Sequence, residues 1–70
     1  MNDSVYKLIE IVGTHPESWE KAAQVAIERA SKSLRDLRVA EVLQLDLNLE
    51  DGKIKQYRAK LKVSFKFEGQ

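Results

Sequence analysis

The fold is decided by the stretch Leu37-Arg38-Val39-Ala40-Glu41-Val42-Leu43-Gln44-Leu45-Asp46-Leu47-Asn48-Leu49, in which apolar side chains recur at nearly every second position. Alternation with a period of two over this length predicts a long, half-buried β-strand. At about 3.3 Å per residue the strand would extend about 40 Å, which is longer than one small globule needs. We therefore expect part of the strand to pair outside its own subunit, so that the working unit is an oligomer.

The size and composition of the chain also favour an oligomer. Its 70 residues form one small domain, residues 1–70, with residues 1–3 and 68–70 expected to fray. Ordering a chain costs about 1.5 kcal/mol per residue, so a core this small leaves little net stability. The sequence has no cysteine and a single histidine, which excludes disulfides, thiolate metal sites and a histidine zinc site within one chain. Assembly is the remaining common way to stabilise such a chain.

Charge and hydropathy narrow the class of partner. Twelve basic and 11 acidic residues give a net charge of +1, which does not favour a general polyanion-binding role. No apolar run has the length of a membrane span, and the N-terminus has no signal-peptide pattern. We expect a cytoplasmic protein with no nucleic-acid or membrane partner.

The elements before the long strand are a first strand and a helix. Residues 4–12 carry apolar side chains on both faces and predict a strand that Gly13 ends. The segment Thr14-His15-Pro16-Glu17 has the form of a capping box, in which the Thr14 hydroxyl accepts from the backbone N–H three residues later. The helix is then expected over residues 15–35.

The apolar stripe of this helix is rich in alanine, which predicts a close approach to the sheet. Its members are Trp19, Ala22, Ala23, Ala26, Ala30, Ser33, Leu34 and Leu37. Val25 and Ile27 project away from the centre of the stripe and fit a second contact surface, such as a neighbouring subunit. Packing is the expected role of Trp19, and stacking of a planar ligand at the start of the helix is the alternative.

A hairpin joins the long strand to a third strand over residues 54–67. A three-residue loop, residues 51–53, is preferred to a two-residue loop because it sets apolar side chains opposite apolar ones. The predicted pairs are Leu43–Leu61, Leu45–Ala59 and Leu47–Tyr57 on one face and Asp46–Arg58, Gln44–Lys60 and Val42–Lys62 on the other. The β-α-β-β order predicts an α+β fold in which one helix packs on a three-stranded antiparallel sheet.

Two groups of polar side chains are candidates for function. The basic residues on one sheet face are Arg38, Arg58, Lys60, Lys62 and Lys66. They fit a solvated sheet face, inter-subunit ion pairs or a site for a small anionic ligand. The oxygen donors Asp46, Asn48 and Glu50 have the chemistry of a Ca²⁺ or Mg²⁺ site. Alternate side chains of a strand lie about 7 Å apart, so symmetry copies would have to complete such a site.

His15, in the predicted turn, is expected to be an exposed turn residue.

The chain as a whole resembles the dodecin family. The segments that carry the resemblance span nearly all of the sequence and are Val5-Tyr6-Lys7, Ile9-Glu10-Ile11-Val12-Gly13-Thr14, Ser18-Trp19-Glu20, Ala22-Ala23, Ala26-Ile27-Glu28-Arg29-Ala30, Leu37-Arg38-Val39-Ala40-Glu41-Val42 and Tyr57-Arg58-Ala59-Lys60-Leu61-Lys62-Val63-Ser64-Phe65-Lys66. The resemblance implies a β-α-β-β subunit assembled into a hollow dodecamer of cubic symmetry. It also implies a protein that is not an enzyme, since flavin-binding members sequester FMN or riboflavin and some also hold coenzyme A.

The resemblance also implies a flavin pocket that is degenerate here. In flavin-binding dodecins a tryptophan before the Glu-Val pair stacks on the isoalloxazine ring, and Val39 stands at that position. A glutamine after the third-strand tyrosine hydrogen-bonds the flavin, and Arg58 stands there. Lys66 keeps the positive character of an anion-contacting position, whereas Asp46 stands where bacterial flavin binders commonly have a basic residue. Loss of one stacked ring should weaken binding by about 1–3 kcal/mol.

Valine and arginine at those two positions, together with Ser18-Trp19-Glu20 and Arg38-Val39-Ala40, resemble the calcium dodecin branch of the family. Calcium is therefore a candidate ligand, with Asp46 and either Glu50 or Glu41 as candidate donors. We predict a non-enzymatic homododecamer that binds or stores a small ligand or ion, with flavin binding weakened or lost. The alternative is a protein that sequesters and buffers FMN or riboflavin in a rebuilt pocket.

Overall fold

The computed structural model describes residues 4–66, and within them the chain forms one helix and three strands. The elements are β1 (Tyr6–His15), α1 (Trp19–Ser31), β2 (Leu37–Glu50) and β3 (Lys53–Lys66). The strand order is β1-β3-β2, and both pairs are antiparallel. The predicted α+β fold is confirmed, with the third strand at the centre of the sheet. The predicted fraying of residues 1–3 and 68–70 and the predicted end of the third strand at Phe67 lie outside the described residues.

The first strand is longer than predicted because Gly13 continues it. A Cβ atom at Gly13 would lie 2.1 Å from the backbone oxygen of Ala22 and 2.8 Å from the Cβ of Ala26. Glycine is therefore required where the helix crosses the strand, and the close approach leaves the ladder intact, with Gly13 opposite Ala59. The prediction that Gly13 ends the strand was wrong.

The helix begins at a different cap from the one predicted. The Ser18 hydroxyl accepts from the backbone N–H of Lys21 at 3.0 Å, so Ser18 is the N-cap. Thr14 is still part of β1, opposite Arg58. The predicted capping box at Thr14 was therefore wrong, and the helix ends at Ser31, short of the predicted boundary.

The core lies between the helix and the central strand, β3. Its buried members are Ala22, Ala26, Ala59, Leu61 and Val63. Alanine on the helix face permits the close approach that the sequence predicts. The helix packs against β1 and β3, whereas every residue of β2 except Leu37 and Asp46 is exposed. The second strand is thus an edge strand with little cover of its own.

The hairpin turn has two residues, so the predicted three-residue loop was wrong. Glu50 pairs with Lys53, and Asp51 and Gly52 occupy the left-handed region with φ of 53° and 73°, as a type I′ turn requires. The ladder then shifts by one residue at Lys55 of β3. This shift restores four of the predicted pairs, namely Leu45–Ala59, Leu47–Tyr57, Asp46–Arg58 and Gln44–Lys60.

A second irregularity lies at Leu43 of β2. Val42 pairs with Leu61 and Gln44 with Lys60, so that Leu43 is an additional residue between them. The predicted pairs Leu43–Leu61 and Val42–Lys62 were wrong for this reason.

Within residues 4–66, no helix combines the length and apolar character needed to cross a bilayer.

Candidate ligand-binding face of the sheet

The side of the sheet that faces away from α1 is called the open face here. Ala59, Leu61 and Val63 of β3 point into the core, so the alternate residues of that strand point to the open face. These residues are Arg58, Lys60, Lys62, Ser64 and Lys66. The predicted basic group on β3 therefore shares one surface.

Acidic side chains of the flanking strands neutralise much of this basic row. The Nε of Arg58 lies 2.8 Å from the Oδ1 of Asp46, and the Nζ of Lys60 lies 3.7 Å from the Oε1 of Glu10. The register also places Glu10 and Glu41 on either side of Lys62. Exposed ion pairs of this kind contribute roughly 0–1 kcal/mol each. The open face is a ladder of alternating charges whose ion pairs form within one chain, whereas the ion pairs inferred from the sequence join different subunits.

The helix contacts Asp46 from the side of the sheet opposite to the Arg58–Asp46 ion pair. The indole N–H of Trp19 donates to the backbone oxygen of Asp46 at 3.0 Å. The indole ring packs edge to face on Tyr57, with ring centroids 5.1 Å apart and an interplanar angle of 82°. Trp19 therefore packs, as predicted, and it fixes the backbone of Asp46 from the helix side while the carboxylate lies on the open face.

The predicted flavin positions lie at two places on the open face. Val39 is 63% exposed and lies opposite Ser64, and Lys66 follows two residues later on the same face of β3. Arg58 lies six residues from Ser64 along β3, which is about 20 Å at 3.3 Å per residue. One subunit therefore places Val39 near Lys66 but does not bring either of them to Arg58.

The predicted calcium ligands are also separated within one chain. Asp46 is paired with Arg58, and the Oε1 of Glu50 lies 3.8 Å from the Nζ of Lys55. Four residues of strand separate the two carboxylates by about 13 Å. No three His, Cys, Asp or Glu side chains within residues 4–66 are grouped closely enough to hold one ion. The oxygen donors suit calcium chemically, but Asp46 and Glu50 do not meet at one ion within a single chain.

A second surface feature is an open cleft between the free edge of β1 and α1. Its volume is about 620 Å³. The apolar residues that line it include Ile9, Ile11, Val12, Val25, Ala30 and Leu34. Val25 is the residue that the sequence places off the main stripe of the helix, and its position in the cleft agrees with a second contact surface.

Comparison with known proteins identifies relatives along almost the whole chain. The family model Dodecin matches residues 5–68. Calcium dodecin from Mycobacterium tuberculosis is 55% identical over 64 residues, which are 90% of this chain and 89% of that protein. Dodecin from Thermus thermophilus is 41% identical over 64 residues, which are 91% of this chain and 93% of that protein.

Solved structures give the same result at the level of the fold. Dodecin from Streptomyces coelicolor superposes with a TM-score of 0.93 at 36% identity and covers 100% of both chains. Calcium dodecin from Mycobacterium tuberculosis, a calcium-chelating antigen with a calcium-binding site, superposes with a TM-score of 0.85 at 48% identity and covers 96% of both chains. A match of this extent in sequence and in topology means that the chain belongs to the dodecin family.

Proposed function

We propose that this chain forms a non-enzymatic homododecamer that binds or stores a small ligand or ion, with calcium as the candidate ion and with flavin binding weakened or lost. The observation that carries the proposal is the Arg58–Asp46 ion pair on the open face. It puts a charged pair at a position where flavin-binding dodecins use a neutral glutamine. Calcium dodecin as a relative of 55% identity supports the same choice of ligand.

The surfaces of the single chain support the assembly. The Cα positions extend over 55 × 20 × 16 Å, because the hairpin projects beyond the helix. Leucines along β2 are between 37% and 60% exposed, namely Leu43, Leu45, Leu47 and Leu49. Exposed apolar edges of this length are characteristic of subunit interfaces. The cleft between β1 and α1 offers a second apolar surface on the opposite edge.

The assembly supplies what the single chain lacks at the ligand positions. Val39 and Arg58 are about 20 Å apart along the sheet, and Asp46 and Glu50 do not reach a common ion. A ligand that contacts any such pair would lie between subunits. The dodecamer is therefore part of the binding site in this proposal, and a monomer would bind neither ligand well.

Weakened flavin binding follows from the side chain at residue 39. Valine presents no π-face to an isoalloxazine ring, and Arg58 is engaged by Asp46. Restoring the ring with Val39→Trp should tighten FMN binding about five- to 150-fold, since one stacking contact contributes about 1–3 kcal/mol. The matched variant Val39→Leu adds bulk without a ring and should leave the affinity close to that of the wild type.

Three measurements test the proposal. Light scattering after size-exclusion chromatography should give a particle of about twelve subunits, and a stable monomer would contradict the assembly. Quenching of riboflavin or FMN fluorescence should be weak for the wild type and strong for Val39→Trp. Tight, saturable quenching by the wild type would favour the flavin-sequestering alternative.

Calorimetric titration with Ca²⁺ should give saturable heat that Asp46→Asn removes, and no heat above dilution would exclude calcium.

A further inference from the structure

The last side chain of β1 closes the turn that leads into α1. His15 is the single histidine of the chain, and its Nδ1 accepts from the backbone N–H of Glu17 at 3.0 Å. The residue is half-buried and ends β1 opposite Tyr57, whereas the sequence predicts an exposed turn residue. We propose that His15 is a pH-sensitive cap of this turn, which the neutral imidazole holds closed and the imidazolium ion releases.

The hydrogen bond fixes the protonation state of the ring. A ring nitrogen that accepts a hydrogen bond carries no proton, so the proton of the neutral imidazole is on Nε2. In the imidazolium ion both nitrogens are donors. The Nδ1–H would then face the N–H of Glu17, and two donors at 3.0 Å repel each other. The protonated ring therefore has to rotate away from the turn.

The contact has the pattern of an Asx turn, in which a side chain accepts from the backbone N–H two residues later. Asparagine and aspartate are the usual acceptors, and here the imidazole takes their place. Pro16 lies between the two partners, and its fixed φ suits a tight turn. Only residues 16–18 separate β1 from α1. Loss of the contact should therefore loosen the start of the helix.

The helix start disfavours a positive charge at His15. The ring lies beside the N-terminus of α1, which is the positive end of the helix dipole. The carboxylate of Glu17 interacts with His15, but it is already bonded to the ammonium group of Lys21. Glu20, in the first turn of α1, is exposed, so solvent and salt screen its charge.

The neighbouring strand adds no compensating charge. Tyr57 of β3 is the residue opposite His15, and its side chain is a phenol. Arg58 follows it on the open face of the sheet and is paired with Asp46. An imidazolium ion therefore gains little from its surroundings in exchange for the lost hydrogen bond.

The state of His15 should be detectable at Trp19. Opposite residues of antiparallel strands have Cβ atoms about 5 Å apart, which places His15 next to Tyr57. The Tyr57 ring packs edge to face on Trp19, and Trp19 donates to the carbonyl oxygen of Asp46. Since Trp19 is the single tryptophan of the chain, its fluorescence reports on this region alone.

The experiment compares three proteins in the assembled state at about pH 7.5 and at about pH 5.5, a range in which an ordinary imidazole titrates. His15→Asn is the matched control, because its side-chain oxygen accepts the same N–H and does not titrate. His15→Ala removes the acceptor at both pH values. Thermal unfolding and Trp19 fluorescence are the readouts, and light scattering establishes the state of assembly at each pH.

The wild type should change from one control to the other. At about pH 7.5 we expect its melting temperature to match that of His15→Asn. At about pH 5.5 it should fall about 4 °C below His15→Asn and approach His15→Ala, as the loss of one cap predicts. The emission of Trp19 should change over this range in the wild type more than in either variant. The pKa of Glu17 is lowered from 4.5, so this carboxylate stays ionised throughout.

Three results would overturn the inference. One is an equal pH dependence of the wild type and His15→Asn. Another is a proton on Nδ1 at about pH 7.5, which nitrogen-15 NMR of the single imidazole detects. The third is equal stability of His15→Asn and His15→Ala at about pH 7.5, which would mean that the acceptor does not hold the turn. These readouts need no bound ligand, so their outcome is independent of the proposed function.

Discussion

The indole N–H of Trp19 donates to the backbone carbonyl oxygen of Asp46 at 3.0 Å, across 27 residues of sequence. This bond joins the first turn of α1 to β2, a strand that the helix otherwise leaves exposed. The same ring packs edge to face on Tyr57, so the contact fixes both strands of the hairpin. The start of the helix and the candidate ligand residue are therefore held by one side chain.

Removal of this contact should destabilise the subunit. Trp19→Phe keeps an aromatic ring against Tyr57 but loses the hydrogen bond, and we expect a loss of about 1 kcal/mol in the free energy of unfolding. Trp19→Ala also removes the packing of a partly buried ring and should cost about 2–3 kcal/mol. Urea denaturation monitored by far-UV circular dichroism, at fixed protein concentration, measures both effects.

The control for Trp19 is Gln24→Ala, an exposed helical position, where the change should remain within about 0.5 kcal/mol. Unchanged stability of Trp19→Phe would mean that the indole hydrogen bond makes no net contribution.

Gly13→Ala should be strongly destabilising. The added Cβ would lie 2.1 Å from the backbone oxygen of Ala22, and a backbone atom cannot move aside as a flexible side chain does. Separation of α1 from β1 should cost about 3 kcal/mol, measured as a lower midpoint of thermal or urea unfolding. Gly52→Asn is the matched control, because a Cβ there meets no heavy atom within 4 Å and asparagine tolerates a φ of 73°. Wild-type stability of Gly13→Ala would contradict the close crossing.

Two hydroxyl residues near the helix start distinguish the observed cap from the predicted one. Ser18→Ala removes the acceptor for the N–H of Lys21 and should lower stability by about 1 kcal/mol. Thr14→Ala changes an exposed side chain within β1 and should have an effect below about 0.5 kcal/mol. Thermal unfolding of the two variants under the same conditions checks that Ser18→Ala is the less stable of the two. A less stable Thr14→Ala would favour the capping box at Thr14.

The Glu17–Lys21 ion pair should make a small, pH-dependent contribution. A hydrogen bond from Lys21, together with the charge of its ammonium group, lowers the pKa of Glu17 below its ordinary value of 4.5. Because the pKa is lower in the folded state, the stabilisation is complete above pH 4.5 and is lost as the pH falls through the folded-state value. Both side chains are largely exposed, so the contribution is small and screened by salt.

Glu17→Gln tests this expectation. The variant should melt slightly below the wild type at pH 7, and the difference in melting temperature should shrink below pH 4.5 and then vanish. A difference that is the same at pH 7 and pH 3 would assign the effect to packing and not to charge.

The sequence predicts the elements of the fold well because each element has a periodic signal. The alternation in residues 37–49 predicts β2. The spacing of the alanines predicts which face of the helix is buried, namely the face that carries Ala22 and Ala26. The boundary between β1 and α1 was less predictable. Thr14 and Ser18 are both favourable caps, and only tertiary contact decides between them. The same holds for Gly13, which is a strand terminator by local propensity and a site of close packing in the fold.

The arrangement of the candidate residues on the sheet was only partly predictable from the sequence. Parity along the strands correctly predicts that Asp46 lies opposite Arg58. It does not reveal that Trp19 holds the backbone of Asp46, because the two residues are 27 positions apart. It also fails at Leu43 and Lys55, since a bulge adds a residue without leaving a signal in the alternation.

The bulge at Leu43 reverses which side chains of β2, the odd-numbered or the even-numbered ones, lie on a given face of the sheet. Between the bulge and the turn, even-numbered side chains such as Asp46 lie on the open face, opposite Arg58. Directly before the bulge, over residues 39–42, odd-numbered side chains such as Val39 lie there instead, opposite Ser64. An uninterrupted strand would put Val39 and Asp46 on opposite faces, since they are an odd number of residues apart. Val39 and Asp46, two of the positions at which the resemblance implies a departure from the flavin-binding pattern, share one surface because of the additional residue at Leu43.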